Sequence, residues 1–237
     1  ERGPRLPPLN ETLQRISEQQ DVNDLLLLEK TPPLSDHLLF KDEYIENFII
    51  QHYAQHYETI FMVLQQIALK TDKGCHQPKE TLTATMPKRD LALISQDSYT
   101  VGGEKPLSYD NELPPLQIDL NEFYISNKPV SNSEFLNFMR NSGYTTSDYW
   151  STEGWEWLQN NQNHHPEHWR QNEQQQWYGI NYTGAYDLQA DDAVYGINYY
   201  EACAFAKWAN ARLPHEHEWE TAARLELLSQ TAHAWEW

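Results

Sequence analysis

The sequence predicts an α+β protein with a helical N-terminal part and a turn-rich, aromatic C-terminal part. Residues 35–70 contain neither proline nor glycine, and their apolar residues recur at helical spacing. Residues 116–126 instead alternate apolar and polar side chains, which is typical of a strand. All nine tryptophans lie at or after Trp150. These patterns divide the chain into a helical domain at 1–80, a connector at 81–105 and a mixed domain at 106–237.

Two helices are expected in the N-terminal domain. Residues 9–30 favour one helix or a broken pair, with Asn10 as the N-cap, and two prolines then stop helix propagation. The second helix is expected to begin at Ser35 and to continue without a break to a stop signal at Gly74.

The C-terminal domain carries clearer boundaries. One helix should open with Ser131 or Asn132 as its cap and end at Gly143. A second amphipathic helix is expected over residues 199–213.

Composition excludes several classes of partner. The formal net charge is −18 and no Lys/Arg cluster is present, which argues against nucleic-acid binding. No apolar run approaches the ~18–20 residues that span a bilayer. Only two cysteines occur, Cys75 and Cys203, which favours a reducing cytoplasm over a disulfide framework. Small molecules are the expected partners, and the sequence does not indicate an oligomeric state.

A histidine pair is the main candidate for chemistry. His52 and His56 lie four residues apart in QHYAQHYETI, and on a helix such residues have Cβ atoms ~5–6 Å apart, so both imidazoles can reach one divalent ion. Glu58 lies ~200° round the helix from His56 at ~100° per residue, which suits a residue that supports a neighbouring ligand. Zinc or iron needs at least three protein ligands. Spacing alone therefore leaves two interpretations open, part of a metal site or an amphipathic helix that carries two histidines.

The order of motifs resembles that of the ergothioneine-type sulfoxide synthases, non-haem iron enzymes that form C–S bonds. The HxxxHxE motif at 52–58 is similar to that of their DinB-like helical domain. YGINYYEACAFAKWANARLPHEHEWETAAR, at 195–224, resembles the core of the formylglycine-generating-enzyme domain, and AWEW at 234–237 resembles the motif that follows it. Residues 109–144 are similar to the opening of that domain. The resemblance implies a DinB-like helical bundle followed by a C-type-lectin-like, formylglycine-generating-enzyme domain.

The resemblance also implies roles for individual residues. His52 and His56 would be two of three histidine ligands of Fe(II), with Glu58 supporting them, and Gln55 would contact the histidine-derived substrate. ERGPR at the start of the chain resembles a segment whose arginines hold the carboxylate of the thiol substrate, a role that falls to Arg2 and Arg5.

Within the HEHE run at 215–218, the resemblance implies residues that hold the domain together rather than metal ligands. Arg212 and Glu218 match residues of a structural ion pair, whereas His215 and His217 stand where the family usually has other residues.

The implied activity is Fe(II)- and O2-dependent C–S bond formation between a cysteine-type thiol, cysteine or γ-glutamylcysteine, and trimethylhistidine (hercynine). In the family the first iron ligand lies upstream of the arginine segment and a tyrosine acid lies beyond the position of Trp237, so the chain is expected to be a segment of a longer protein. Two other functions are compatible with the residues. One is a zinc- or nickel-dependent thiol S-transferase, and the other is a non-catalytic, lectin-like binding module.

Overall fold

A computed structural model describes residues 7–29, 37–88, 90–161, 164–229, 231 and 234–237. The helices are α1 (Leu9–Glu29), α2 (Tyr44–Thr71), α3 (Asn132–Arg140), α4 (Thr152–Asn160), α5 (Tyr199–Trp208) and α6 (Glu216–Arg224). The strands are β1 (Leu91–Ile94), β2 (Asp97–Val101), β3 (Leu116–Leu120), β4 (Phe123–Ser126), β5 (Trp169–Gln171), β6 (Trp177–Asn181) and β7 (Gly184–Tyr186). None of the helices in this described part of the chain has the length and hydropathy needed to cross a bilayer.

The first helix is a single element. It begins at Leu9, and the Thr12 amide donates to the Pro8 carbonyl at 3.0 Å. Asn10 therefore lies inside the first turn, and the prediction that it caps the helix is wrong. Pro8 serves this end well because its missing N–H is one that a helix start leaves unpaired in any case.

The long helix begins later than predicted. A 3-10 helix covers Leu38–Glu43, and the ring of His37 accepts the Leu39 amide at 3.2 Å. The backbone then leaves helical geometry at Lys41, which is extended, and at Asp42, which has a φ of 56°. Regular α-helix starts only at Tyr44, whereas the predicted start, Ser35, lies outside the described residues. Residues 37–44 contain no proline or glycine, so the sequence does not predict this kink.

The described residues form two compact units. One consists of the described part of Glu1–Ala54 together with Gly103–Pro114, and the other of Gln55–Gly102 together with Pro115–Trp237. In the first unit, Phe48 of α2 meets Tyr109 edge-on at 6.0 Å between ring centroids, and the Gln51 amide donates to the Leu107 carbonyl. The predicted domain limits at residues 80 and 105 remain predictions.

An antiparallel ribbon in the second unit contains the predicted strand at 116–126. β1 pairs with β4 and β2 pairs with β3, and the two ladders keep one common register, from Leu91 opposite Ser126 to Val101 opposite Leu116. The strand is broken only at residues 121–122. Register and alternation place Ile94 and Ile125 on one buried face of the β1–β4 ladder, and Val101 is buried at the end of β2. A second sheet has the order β5-β6-β7 and is antiparallel throughout.

Three helices of the second unit start with the same device, the capping box. In each, the side chain of the N-cap residue accepts a backbone N–H, while a glutamate three residues later accepts the N-cap N–H. The pairs are Ser131 with Glu134, Asn198 with Glu201, and His215 with Glu218. The prediction that Ser131 caps α3 is confirmed. The predicted helix at 199–213 ends earlier, at Trp208.

The main core of this unit is aromatic. The aromatic core is defined by Phe135, Phe138, Tyr144, Trp150, Leu158, Ala204 and Phe205. Helix α3 ends close to Gly143, whose amide donates to the Phe138 carbonyl at 2.9 Å. A Cβ on Gly143 would lie 2.4 Å from the Phe138 ring. Glycine at this position therefore allows the chain to turn against a buried ring.

Gly143→Ala should lower the free energy of unfolding by about 1–3 kcal/mol, because the Phe138 ring is fully buried and has to shift to admit a methyl group. Urea unfolding followed by tryptophan fluorescence measures the change. Ser98→Ala, on an exposed strand residue, is the control and should leave the midpoint in place. Equal midpoints for the two variants would contradict the close approach described here.

Candidate metal centre

His52 and His56 lie one turn apart on the continuous helix α2, as the spacing predicts. Both residues are exposed. The ring of Phe48, one turn earlier, stacks on His52 with 5.9 Å between centroids and 12° between planes. The helix thus supplies a regular backbone for two imidazoles, and Phe48 contacts the first of them.

The other two predicted residues of this segment also lie on α2 and are exposed. Gln55 stands three residues after His52, and its carbonyl accepts the Thr59 hydroxyl at 2.8 Å. Glu58 is two residues beyond His56, which at ~100° per residue places it on another side of the helix. Arg2 and Arg5 lie outside the described residues.

Among the residues that the structure describes, the histidine pair is not part of a complete metal site. In the part of the chain that the structure describes, no three histidine, cysteine, aspartate or glutamate side chains come together in a way that could hold a metal ion. Two of the other histidines have structural partners. His37 caps the 3-10 helix, and the Nε2 atom of His76 lies 2.7 Å from Asp187 Oδ1. Because zinc or iron needs at least three protein ligands, the pair does not by itself complete a site within the described residues.

The HEHE run is framework, as the resemblance implies. Arg212 donates two hydrogen bonds to the Glu218 carboxylate, each 2.6 Å long. These bonds, together with burial that opposes them, leave the pKa of Glu218 below its ordinary value. The His215 ring accepts the His217 amide at 3.2 Å, so it caps α6.

The C-terminal half of α2 is fixed to the β5-β6-β7 sheet by apolar contact. Leu69 is 8% exposed and packs against Tyr178 and Ile180 of β6, both of which are fully buried. One turn earlier, the Gln65 amide donates to the Ile180 carbonyl at 2.6 Å. The helix that carries His56 is thereby packed on a sheet in the same unit.

Polar contacts hold the end of the helix as well. The Tyr178 hydroxyl donates to Asp72 Oδ2 at 2.7 Å, and the same oxygen accepts the Gly74 amide at 3.1 Å. Arg170 donates to the Leu69 carbonyl at 3.4 Å, which supplies a partner for the helix terminus. Burial, reinforced by the bond to Asp72, raises the pKa of Tyr178 well above its usual range, so the hydroxyl remains a donor at neutral pH.

Sequence reasoning missed this attachment. Tyr178 and Asp72 are 106 residues apart, and neither belongs to a motif. The one signal in the sequence is Asp-Lys-Gly at 72–74, which by itself indicates only a helix stop.

The sequence of the C-terminal region defines the class to which that region belongs. Residues 78–237 match the sulfatase-modifying factor enzyme 1-like domain. This match covers more than half of the chain, and the chain belongs to the family of proteins with that domain.

Individual relatives extend the comparison. The chain is 31% identical over 205 residues to hercynine oxygenase of Mycobacterium tuberculosis and 29% identical over 194 residues to hercynine oxygenase of Mycolicibacterium smegmatis. These alignments cover 83% and 80% of the chain but only 46% and 44% of the two relatives. The formylglycine-generating enzyme of Bos taurus is 27% identical, over 58% of the chain and 40% of that enzyme. The chain thus spans less than half the length of these three relatives.

Tyr178→Phe should lower the free energy of unfolding by roughly 1.5–3 kcal/mol, because it removes a hydrogen bond to a carboxylate that is held against a packed helix end. Chemical denaturation measures the loss. Tyr124→Phe removes a hydroxyl from an exposed tyrosine and is the matched control, with an expected change near zero. A Tyr178→Phe protein as stable as this control would contradict an anchoring role.

Proposed function

We propose that this chain contributes to an Fe(II)- and O2-dependent sulfoxide synthase, which joins a cysteine-type thiol to hercynine in ergothioneine-type biosynthesis. The observation that carries the proposal is the similarity to proteins named hercynine oxygenase. The alignment with the Mycobacterium tuberculosis relative covers 83% of the chain. The sulfatase-modifying factor domain alone covers about two thirds of the chain. The alignment therefore continues into the helical part before residue 78, where His52 and His56 lie.

His52 and His56 would hold the iron, and a third ligand would come from outside the described residues. Neutral imidazole suits iron, and a three-ligand site leaves positions open for substrates. When bound, Fe(II) would supply the O2 chemistry of the reaction. Glu58 would support the ligand set through a hydrogen-bonded neighbour, as carboxylates commonly do around metal-bound histidine.

The remaining predicted residues would bind the two organic substrates. The Gln55 amide can donate to and accept from an imidazole, and it lies between the two histidines in sequence. Arg2 and Arg5 would form charge-assisted hydrogen bonds with the carboxylate of the thiol substrate. Fixing both substrates beside the metal would convert a collision of three partners into a reaction within one complex, which is a large source of rate.

An exposed apolar seam on α2 supports the proposal that the N-terminal part is a DinB-like helical bundle. Six large residues recur at alternating spacings of three and four residues, and each is 40–68% exposed. They are Ile50, Tyr53, Tyr57, Ile60, Leu64 and Ile67. Such a repeat is the packing surface of a helix in a bundle.

Anaerobic titration with Fe(II), performed on the full-length protein, tests the metal site directly. His52→Ala and His56→Ala should each weaken Fe(II) binding more than ~100-fold, since even residues that only support a ligand typically contribute 10–100-fold. His217→Ala removes a histidine whose ring contacts that of His215 at the α6 cap, and this variant should bind Fe(II) like the wild type. If both α2 variants bound Fe(II) as tightly as the wild type, His52 and His56 would not be metal ligands.

Activity is tested by exposing the iron-loaded protein to air with hercynine and either cysteine or γ-glutamylcysteine. Mass spectrometry should detect the coupled sulfoxide, and its formation should cease without O2 and in either histidine variant. Thiol transfer that proceeds without O2 would point to the S-transferase function instead. Absence of turnover together with absence of metal binding would leave a ligand-binding module.

A further inference from the structure

A carboxyl group is enclosed at the start of α5. Glu201 is 3% exposed, and its Oε2 atom accepts the Asn198 backbone N–H at 2.9 Å as part of the capping box. Its Oε1 atom accepts the Tyr144 hydroxyl at 2.5 Å. Tyr144 is 4% exposed and belongs to the aromatic core. Both members of the pair are therefore removed from water.

An acidic side chain and an imidazole face this pair. Glu167, from the segment before β5, adds a further negative charge near Glu201. His164, from the same segment, stacks on the Tyr144 ring with 5.8 Å between centroids and 4° between planes. In the described part of the chain, no lysine or arginine forms an ion pair with Glu201.

The equivalent glutamate of α6 has the arginine partner that Glu201 lacks among the described residues. Glu218 holds the same third position of a capping box, but it receives two hydrogen bonds from Arg212. Arginine stabilises an ionised carboxylate, whereas a tyrosine hydroxyl and one backbone N–H leave Glu201 in an aromatic setting that disfavours charge. A neutral carboxyl can reverse the hydrogen bond by donating its own proton to the tyrosine oxygen.

We propose that Tyr144 and Glu201 form a proton-operated clasp that joins α5 to the segment after α3. With Glu201 neutral, the aromatic core is closed around an uncharged pair. With Glu201 ionised, a charge without a cation partner lies in that core and favours local opening, which lets water reach the carboxylate.

Electrostatics agree with this geometry. Burial raises the pKa of Glu201 to about 7, against opposing hydrogen bonds from Tyr144 and Asn198. Burial also raises the pKa of Tyr144, so the phenol keeps its proton. Because the closed state binds the Glu201 proton more tightly than an open state, closure is strongest below the ordinary glutamate value of 4.5 and weakens as the pH rises to about 7.

Carbon-13 NMR of side-chain carboxyl groups tests the clasp in the intact chain. The Glu201 resonance, identified by its loss in Glu201→Gln, should titrate with a midpoint near 7. Tyr144→Phe should move that midpoint upward, because it removes a hydrogen bond that favours the ionised form. The same shift identifies the resonance if Glu201→Gln does not fold. A midpoint within about one unit of the ordinary value would overturn the proposal, as would a midpoint that Tyr144→Phe leaves unmoved.

Hydrogen exchange gives a second, independent readout. After correction for intrinsic exchange rates, amides in residues 143–150 and 198–202 should open more often as the pH rises from 5 to 7.5, and Glu201→Gln should abolish this trend. Glu134→Gln alters the equivalent glutamate of α3 and is the matched control, which should retain the trend. A trend that survives in Glu201→Gln, or one that is absent from the wild type, would show that Glu201 does not operate the opening.

Discussion

The second unit depends on a single use of glutamate, repeated three times. Glu134, Glu201 and Glu218 each accept the N-cap N–H of their own helix, and each also reaches a separate part of the chain. Their second contacts go to the Lys88 amide, the Tyr144 hydroxyl and the Arg212 guanidinium. A carboxylate has two oxygens with several acceptor positions, so one side chain satisfies both tasks. Helix initiation and tertiary packing are therefore coupled, and loss of one glutamate would remove the acceptor from donors in two places.

The three partners give these similar carboxylates different properties. Arginine keeps Glu218 ionised, since a guanidinium fork matches the carboxylate geometry. Burial raises the pKa of Glu201 to about 7, and the hydrogen bond from Tyr144 opposes this rise without cancelling it. Position within a helix thus sets where a carboxylate lies, whereas burial and a partner outside the helix set its charge. Tyr144 and Glu201 are 57 residues apart, and nothing in either local pattern indicates that they meet.

Local chemistry allowed much of the fold to be predicted. The Ser131 cap and the strand at 116–126 follow from short patterns, the Arg212–Glu218 pair follows from the family resemblance, and the structure confirms all three. The failures arise where a side chain overrides propensity. The His37 ring caps a short 3-10 helix and the backbone turns at Asp42, although the surrounding residues favour a continuous α-helix. Pro8 rather than Asn10 precedes the first helix, because a residue without an N–H fits a helix start.

The candidate site could be predicted only in part. Spacing fixes the relation of His52 to His56, since both lie on one helix. A third ligand depends on tertiary placement, which helical periodicity does not specify, and the roles of Gln55, Glu58, Arg2 and Arg5 rest on resemblance alone. The contacts that hold α2 to the sheet involve Tyr178 and Arg170, which are 106 and 101 positions away from their partners Asp72 and Leu69. Sequence patterns identify residues that are close along the chain, whereas Tyr178 and Arg170 are close to the helix end only in the folded structure.

The attachment of α2 makes the helix a lever arm. Its contacts with the sheet extend from Leu69 toward the histidine as far as Phe61, whose ring meets the Tyr182 ring edge-on with 4.4 Å between centroids. Phe61 is five residues from His56, or ~8 Å at 1.5 Å per residue. Over that length a tilt of ~7° displaces the histidine by ~1 Å, a distance that typically matters for reacting groups. Changes in packing beneath Phe61, at a hairpin more than 100 residues away in sequence, would therefore shift the imidazole.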